Sequence, residues 1–165
     1  MQRIVVFGRL LYRFRSLIVL PFFVFLVISG SPKIKNITPH LLILSGIVIR
    51  LWASGYIGLI SRNKKIAGEY RVINGPYQFF SHPLYLGNLF LVLGTILLFN
   101  PPLWYGLVLI IIFLVEYTII TIAEENHLKD LPAKKVNFSF RNLRGEISTI
   151  IVIGIIYFIS YLTNS

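Results

Sequence analysis

The chain reads as an all-α membrane protein, a polytopic bundle of about five transmembrane helices. Of its 165 residues, 56% are hydrophobic and 13% charged, with mean hydropathy +0.77. The apolar residues lie in long runs almost free of charge, more apolar surface than a globule of this size can bury. The net charge of +10 comes from Lys and Arg clustered between those runs, as in loops that face anionic lipid. On a soluble protein that charge would point to nucleic acid, which is not expected as a partner here. Cysteine is absent, which removes disulfides, a thiol nucleophile and a thiolate metal site.

A bilayer span needs about 20 apolar residues, with roughly 17 to 25 tolerated. Residues 1–15 set Arg3, Arg9, Arg13 and Arg15 among apolar side chains, which suits an interfacial amphipathic helix. The same basic start, followed by an apolar core and the small residues Ser29, Gly30 and Ser31, also fits a cleaved signal peptide. Spans are expected at residues 16–29, 39–60, 83–99, 103–123 and 147–162, the first and third being short. With no long linker, repeat or low-complexity tract, residues 1–165 are expected to form a single membrane domain.

Loop charge orients the bundle. Lys33 and Lys35 follow the first run, and Arg62, Lys64, Lys65 and Arg71 follow the second. The FNPP turn after the third carries no charge; Lys129, Lys134, Lys135, Arg141 and Arg144 follow the fourth, and no basic residue follows the fifth. A cytoplasmic N-terminus places every heavy cluster inside. NGPYQFFSHP, which opens the third span, and AEENHLKD, which closes the fourth, then share the cytoplasmic face, and the tight FNPP turn makes their ends neighbours.

The first of these stretches holds the chemistry. Asn74, Gly75 and Pro76 signal a turn, and Pro83 suits the first position of a helix, where its missing N–H would have been unsatisfied. His82, the residue before a proline, is pushed out of the helical region and becomes the natural cap. Its imidazole is expected beside free N–H groups at the positive end of the helix dipole, a place for a carboxylate or phosphate. Tyr77 and Tyr85 flank it with faces that stack on heterocycles or attract cations. Together they suit a zwitterionic ligand, although an ordinary helix start within an aromatic belt accounts for the same residues.

The second stretch places Glu124 and Glu125 at the C-terminal end of an apolar helix, where the dipole favours cations. Two such carboxylates could hold a ribose diol or an ammonium. Glu125 is spaced to pair with Lys129 at i+4, which leaves Glu124 for a ligand.

GPYQFFSHPLYLG, followed one hairpin later by EENHL, resembles the GPY-x3-RHP-x-Y-x-G and EE-x2-L signature of the isoprenylcysteine carboxyl methyltransferases and the related phospholipid methyltransferases. GIVIRLWASGYIG and EYRVINGPY upstream look like the same family, so the likeness spans about residues 47–128. The resemblance implies a cytoplasmic pocket for S-adenosyl-L-methionine, lined by Glu69, Tyr70, Arg71, Val72, Tyr77, His82, Pro83, Leu84, Tyr85 and Glu124, with Arg62 a weaker candidate. It also implies a lipidic acceptor, carboxylate or amine, that enters from the bilayer. On this reading His82 and the helix start meet the methionine carboxylate, Tyr77 and Tyr85 the adenosine and sulfonium, and Glu124 the ribose or ammonium.

Three departures from the family pattern concern the acceptor half more than the cofactor half. Ser81 stands where the family has Arg, a loss that Arg71 could offset. KDLPAKKVNFSFRNLRGE leads into a fifth span where the family has a polar tail. Ile120 occupies the place of a substrate-orienting Arg, and Arg141 or Arg144 are the cations left for that task. Methyl transfer to a carboxylate needs positioning and exclusion of water more than an acid or base, whereas an amine must also lose a proton. His40, His82 and His127 lack a metal-ligand spacing, so no metal is expected.

Arg50 and Glu116 fall inside the second and fourth spans, where lone charges are expensive, and are expected to face inward, as a structural pair in preference to the alternative of a role along a substrate channel. Two other functions fit the same helices: an NADPH-dependent membrane reductase of the sterol-reductase kind, and a non-catalytic scaffold or lipid-binding protein.

Overall fold

The computed structural model describes residues 7, 8, 11, 20–57 and 70–164. Most of the expected interfacial helix, the first residues of the first span, Arg62 and Glu69 lie outside the described residues. Five helices follow one another: α1 (Leu20–Ser29), α2 (Ile37–Ile57), α3 (Pro83–Phe99), α4 (Leu103–Leu128) and α5 (Ile147–Asn164). Among the described residues, three segments are long and apolar enough to cross a membrane: α2, α4, and α5 together with the turn that feeds it (Phe140–Thr163). The described part of α1 and α3 are shorter.

Helix ends follow local chemistry. Asn36 Oδ1 accepts the Thr38 N–H at 3.1 Å and caps α2. α3 begins at Pro83, with His82 as its cap at φ −133° and ψ 67°. It ends at Asn100, whose left-handed φ of 46° lets its N–H reach the Ile96 carbonyl at 2.8 Å. Pro101 and Pro102 then bar continuation. α4 runs to Leu128, past the expected end at residue 123. Hydropathy stops at the glutamates, but nothing in EENHL breaks a helix; at 26 residues, or about 39 Å, α4 exceeds a hydrocarbon core of about 30 Å. Glu124 and Glu125 therefore ride on a helix that projects from the apolar zone.

α3 packs principally against α2, and glycines set the spacing. A Cβ on Gly46 would lie 2.8 Å from the Gly87 carbonyl oxygen, and one on Gly94 2.7 Å from Ile43. Such close approach is the usual glue of membrane helices, which have little hydrophobic drive to associate. Leu26, Ile43, Leu98, Phe99, Tyr105, Ile153 and Ile156 form the buried cluster. Ile111, Leu114, Val115, Ile151 and Phe158 face outward, as a lipid-facing surface requires.

The connections between helices depart from the sequence reading. A two-residue strand β1 (Arg71–Val72) pairs in parallel with β2 (Ala133–Lys134), Arg71 opposite Ala133 and Val72 opposite Lys134. Asn74 locks the pair beyond its end: its Nδ2 donates to the Val136 carbonyl at 2.8 Å and its Oδ1 accepts the Val136 N–H at 2.9 Å. Gly75, at φ 64°, then starts a 3₁₀ turn (Gly75–Gln78) beneath the Tyr56 ring. A second 3₁₀ turn (Phe140–Glu146) leads into α5 and is held to α2 through the Gly55 carbonyl, which accepts the Ser139 N–H and Asn142 Nδ2. The segment KDLPAKKVNFSFRNLRGE is thus a structural clamp on the loop that precedes α3.

Candidate functional site

α3 and α4 are joined by the Asn100–Pro102 turn, and with α1, α2 and α5 they enclose a cavity of about 1240 Å³. Along α4 its lining extends from Leu109 to Leu128, about 28 Å at 1.5 Å per residue. The end near β1 is polar and aromatic, lined by Tyr70, Arg71, Tyr77, His82, Tyr85 and Glu124. The other end is apolar, lined by Phe22, Leu26, Leu91, Ile96, Leu109 and Ile153 among others. A typical small-molecule site measures about 300–1,000 Å³, so there is room for a nucleoside-sized group and part of a chain.

Of the residues singled out in the sequence, Tyr70, Arg71, Val72, Tyr77, His82, Pro83, Leu84, Tyr85 and Glu124 all line this one cavity. Ser81 lines it too, and Lys134 Nζ lies 4.6 Å over the Tyr70 ring at its rim. Arg141 and Arg144 do not line it; both are exposed on the 3₁₀ turn. Ile120 is fully buried. The cation that reaches the cavity from the membrane-embedded part is Arg50.

His82 does not use its ring to cap α3. Instead its Nδ1 lies 3.2 Å from Glu124 Oε2 and its Nε2 3.2 Å from Glu125 Oε1, so one imidazole ring joins the start of α3 to the end of α4. Glu125 is engaged by His82 rather than by the expected Lys129, because the tertiary fold brings the ring closer than the next helical turn. The Tyr85 ring stacks on His82 at 5.6 Å and meets Tyr117 edge-on at 4.8 Å. Tyr117 in turn stacks on Phe113 and accepts a hydrogen bond from Asn88 Nδ2 at 2.8 Å. The Tyr77 hydroxyl is buried and has no hydrogen-bond partner among the described residues. Burial above all, then the nearby Glu124 carboxylate, push its phenol well above the ordinary range, with Arg50 pulling the other way. It stays a neutral donor on a residue that lines the cavity.

Burial lowers the pKa of His82, but hydrogen bonds and charge from Glu124, then Glu125, outweigh it, and the net shift is upward. A raised pKa means the clasp stabilises the fold fully below the ordinary histidine value of about 6.5, and that this stabilisation is lost as pH rises through the folded value. Thermal unfolding of detergent-solubilised protein from about pH 6 to pH 9 should therefore fall more steeply for the wild type than for His82→Gln. Parallel curves would show that the clasp contributes nothing.

Below the clasp lies a buried ion pair. Arg50 Nε donates to Glu146 Oε2 at 2.8 Å and Nη2 to Glu146 Oε1 at 3.0 Å, while Nη1 donates to Asn88 Oδ1. Ser54 Oγ donates to Glu146 Oε1 at 2.6 Å. The expected Arg50–Glu116 pair is thus corrected: Arg50 pairs with Glu146, and Glu116 lines the cavity elsewhere along α4. Sequence reasoning missed Glu146 because it sits one residue before the fifth apolar run and reads as loop. It also missed Asn88 and Tyr117, although Asn88 falls three residues after Tyr85, on the same helix face. His40 serves the fold, with Tyr157 Oη and the Ile34 carbonyl each 2.7 Å from a ring nitrogen.

The arrangement has relatives. Phosphatidylethanolamine N-methyltransferase B of Dictyostelium discoideum is 29% identical over 125 residues, which cover 72% of this chain and 62% of that protein. The chain therefore spans less than two thirds of the length of that curated relative. It matches no solved structure. The model of the phospholipid methyltransferase family matches residues 34–134, more than half of the chain, from the turn before α2 to the strand β2 that holds the cavity's rim. On that match, the protein belongs to the phospholipid methyltransferase family.

Proposed function

We propose that the chain is an S-adenosyl-L-methionine-dependent methyltransferase acting on the amine of a membrane lipid. The observation that carries this is one continuous cavity with a polar, aromatic end and an apolar end, on a chain of this family. A nucleoside-sulfonium and a lipid tail are chemically unlike, and the cavity offers each a matching wall. The amine is favoured over the carboxylate acceptor because the Dictyostelium relative is named for N-methylation of phosphatidylethanolamine.

The polar end suits the cofactor. Tyr77 has a buried hydroxyl without a partner, Tyr85 has an aromatic face on the cavity, and Glu124 is a carboxylate able to accept from a diol. When bound, the cofactor supplies a methyl group on a sulfonium, and the C–S bond breaks as the new N–C bond forms. The chain's own part is to orient the amine, keep water out and accept the proton that the ammonium must lose. Glu124 is the carboxylate placed for that, and His82 keeps it fixed. The positive-inside rule, applied to the heavy basic loops, supports a cytoplasmic side for this end and for the N-terminus. Membrane lipid is the partner on this reading, with neither nucleic acid nor metal.

Titration of purified protein with S-adenosylhomocysteine and with NADPH tests the reading, alongside methyl transfer to dioleoylphosphatidylethanolamine. S-adenosylhomocysteine should bind, and Tyr77→Phe and Glu124→Ala should each weaken it about tenfold, the value of one lost hydrogen bond to a buried or charged group. Binding of NADPH alone would make the chain a reductase, and binding of neither would leave a scaffold.

A further inference from the structure

We infer that Arg50 is the residue that holds the phosphate of the acceptor lipid, with Glu146 as the positioning residue that aims it; this rests on the lipid-amine reading above. Arg50 is a cation 12% exposed on a cavity wall, and its three contacts use Nε–H and one N–H on each terminal nitrogen. A guanidinium has five N–H groups, so two remain for a ligand, one on each terminal nitrogen, and a phosphate is the kind of acceptor such groups take. Glu146 (2% exposed) and Ser54 (1% exposed) fix the plane of the group from behind, so it does not have to be ordered when a ligand arrives.

Its depth is the second argument. Asn88, which holds Arg50, lies six residues from His82 on α3, about 9 Å along the axis. Leu91 and Val92, one turn farther, begin the apolar lining. Arg50 thus lines the cavity where the polar tier ends and the apolar tier begins, the place at which a diacyl lipid carries its phosphate. An ethanolamine nitrogen two carbons beyond that phosphate would then extend toward Tyr77, Tyr85 and Glu124. Arg141 and Arg144, the cations the sequence offered for orienting the acceptor, are outside the cavity, which leaves Arg50 for that task.

The test separates phosphate recognition from folding and from methyl transfer. Arg50→Met with Glu146→Leu removes both charges together, so that neither is left buried without its counter-charge, and Arg50→Lys keeps the cation without the planar guanidinium. Binding of dioleoylphosphatidylethanolamine, of dioleoylglycerol, which has the same chains without phosphate, and of S-adenosylhomocysteine is measured by native mass spectrometry on each. Dioleoylphosphatidylethanolamine should bind about tenfold or more weakly to the double variant and by a smaller factor to Arg50→Lys. The other two should be unchanged. An equal loss for both lipids, no loss for either, or a loss confined to S-adenosylhomocysteine overturns the assignment. If the double variant does not fold, Arg50→Lys decides on the same ratios. A wild type that binds the lipid but transfers no methyl group sinks the enzyme reading and leaves the binding ratios readable.

Discussion

Glu146→Ala should destabilise the folded protein by about 3–5 kcal/mol, the usual result of removing one partner from a buried ion pair. The carboxylate is 2% exposed and accepts from Arg50 Nε, Arg50 Nη2 and Ser54 Oγ at once. Its loss leaves the Arg50 cation buried beside an apolar helix bundle, and the residual bond to Asn88 does not neutralise it. The double variant Arg50→Met with Glu146→Leu should be near wild type or more stable, because desolvating two charges consumes most of what their attraction returns. Denaturation of the detergent-solubilised protein measures both. A single variant that loses less than about 1 kcal/mol, a value typical of exposed pairs, would mean that water reaches the site.

A second large loss is expected at the α2–α3 contact. Gly46→Val places its Cβ 2.8 Å from the backbone carbonyl of Gly87 and 2.9 Å from the Leu91 side chain, where real Cβ atoms are essentially never found. Leu91 can rotate, but the carbonyl belongs to a helix and moves only with it, so the two helices must separate. Overpacking of this kind costs about 1–3 kcal/mol, and a backbone obstacle puts it at the upper end. The shift would also carry Arg50, one turn along α2 and in contact with Gly87, away from Asn88. Gly154→Ala is the control: nothing lies within 4 Å of its Cβ, and alanine in a helix should be neutral or stabilising by up to about 1 kcal/mol. Comparable unfolding midpoints for the two variants would show that α2 and α3 are not closely packed.

Much of the architecture was legible because membrane helices are set by local rules. Hydrophobic length and proline position predicted residues 83–99 for the third span, and the helix is Pro83–Phe99. His82 was expected as the cap and is the cap, yet its ring turned to Glu124 and Glu125, since two carboxylates across the cavity attract it more than a helix end. The parallel pairing of β1 with β2 had no signal in two-residue strands separated by some sixty residues. α4 outran its predicted end because hydropathy reports the bilayer boundary, not the end of backbone hydrogen bonding.

By itself the sequence determined a helical membrane protein, where most of its helices begin and end, and that NGPYQFFSHP and AEENHL come to one end of a hairpin. These follow from the energy of placing apolar residues in lipid and from the chemistry of Pro, Asn and Gly, which act over a few residues. The tertiary structure alone decided that Arg50 finds Glu146 and not Glu116, that His82 is shared between two glutamates, and that the helices enclose a cavity. Charges that are too costly to leave alone in a membrane must pair, but which partner they take depends on which helices the small residues allow to touch.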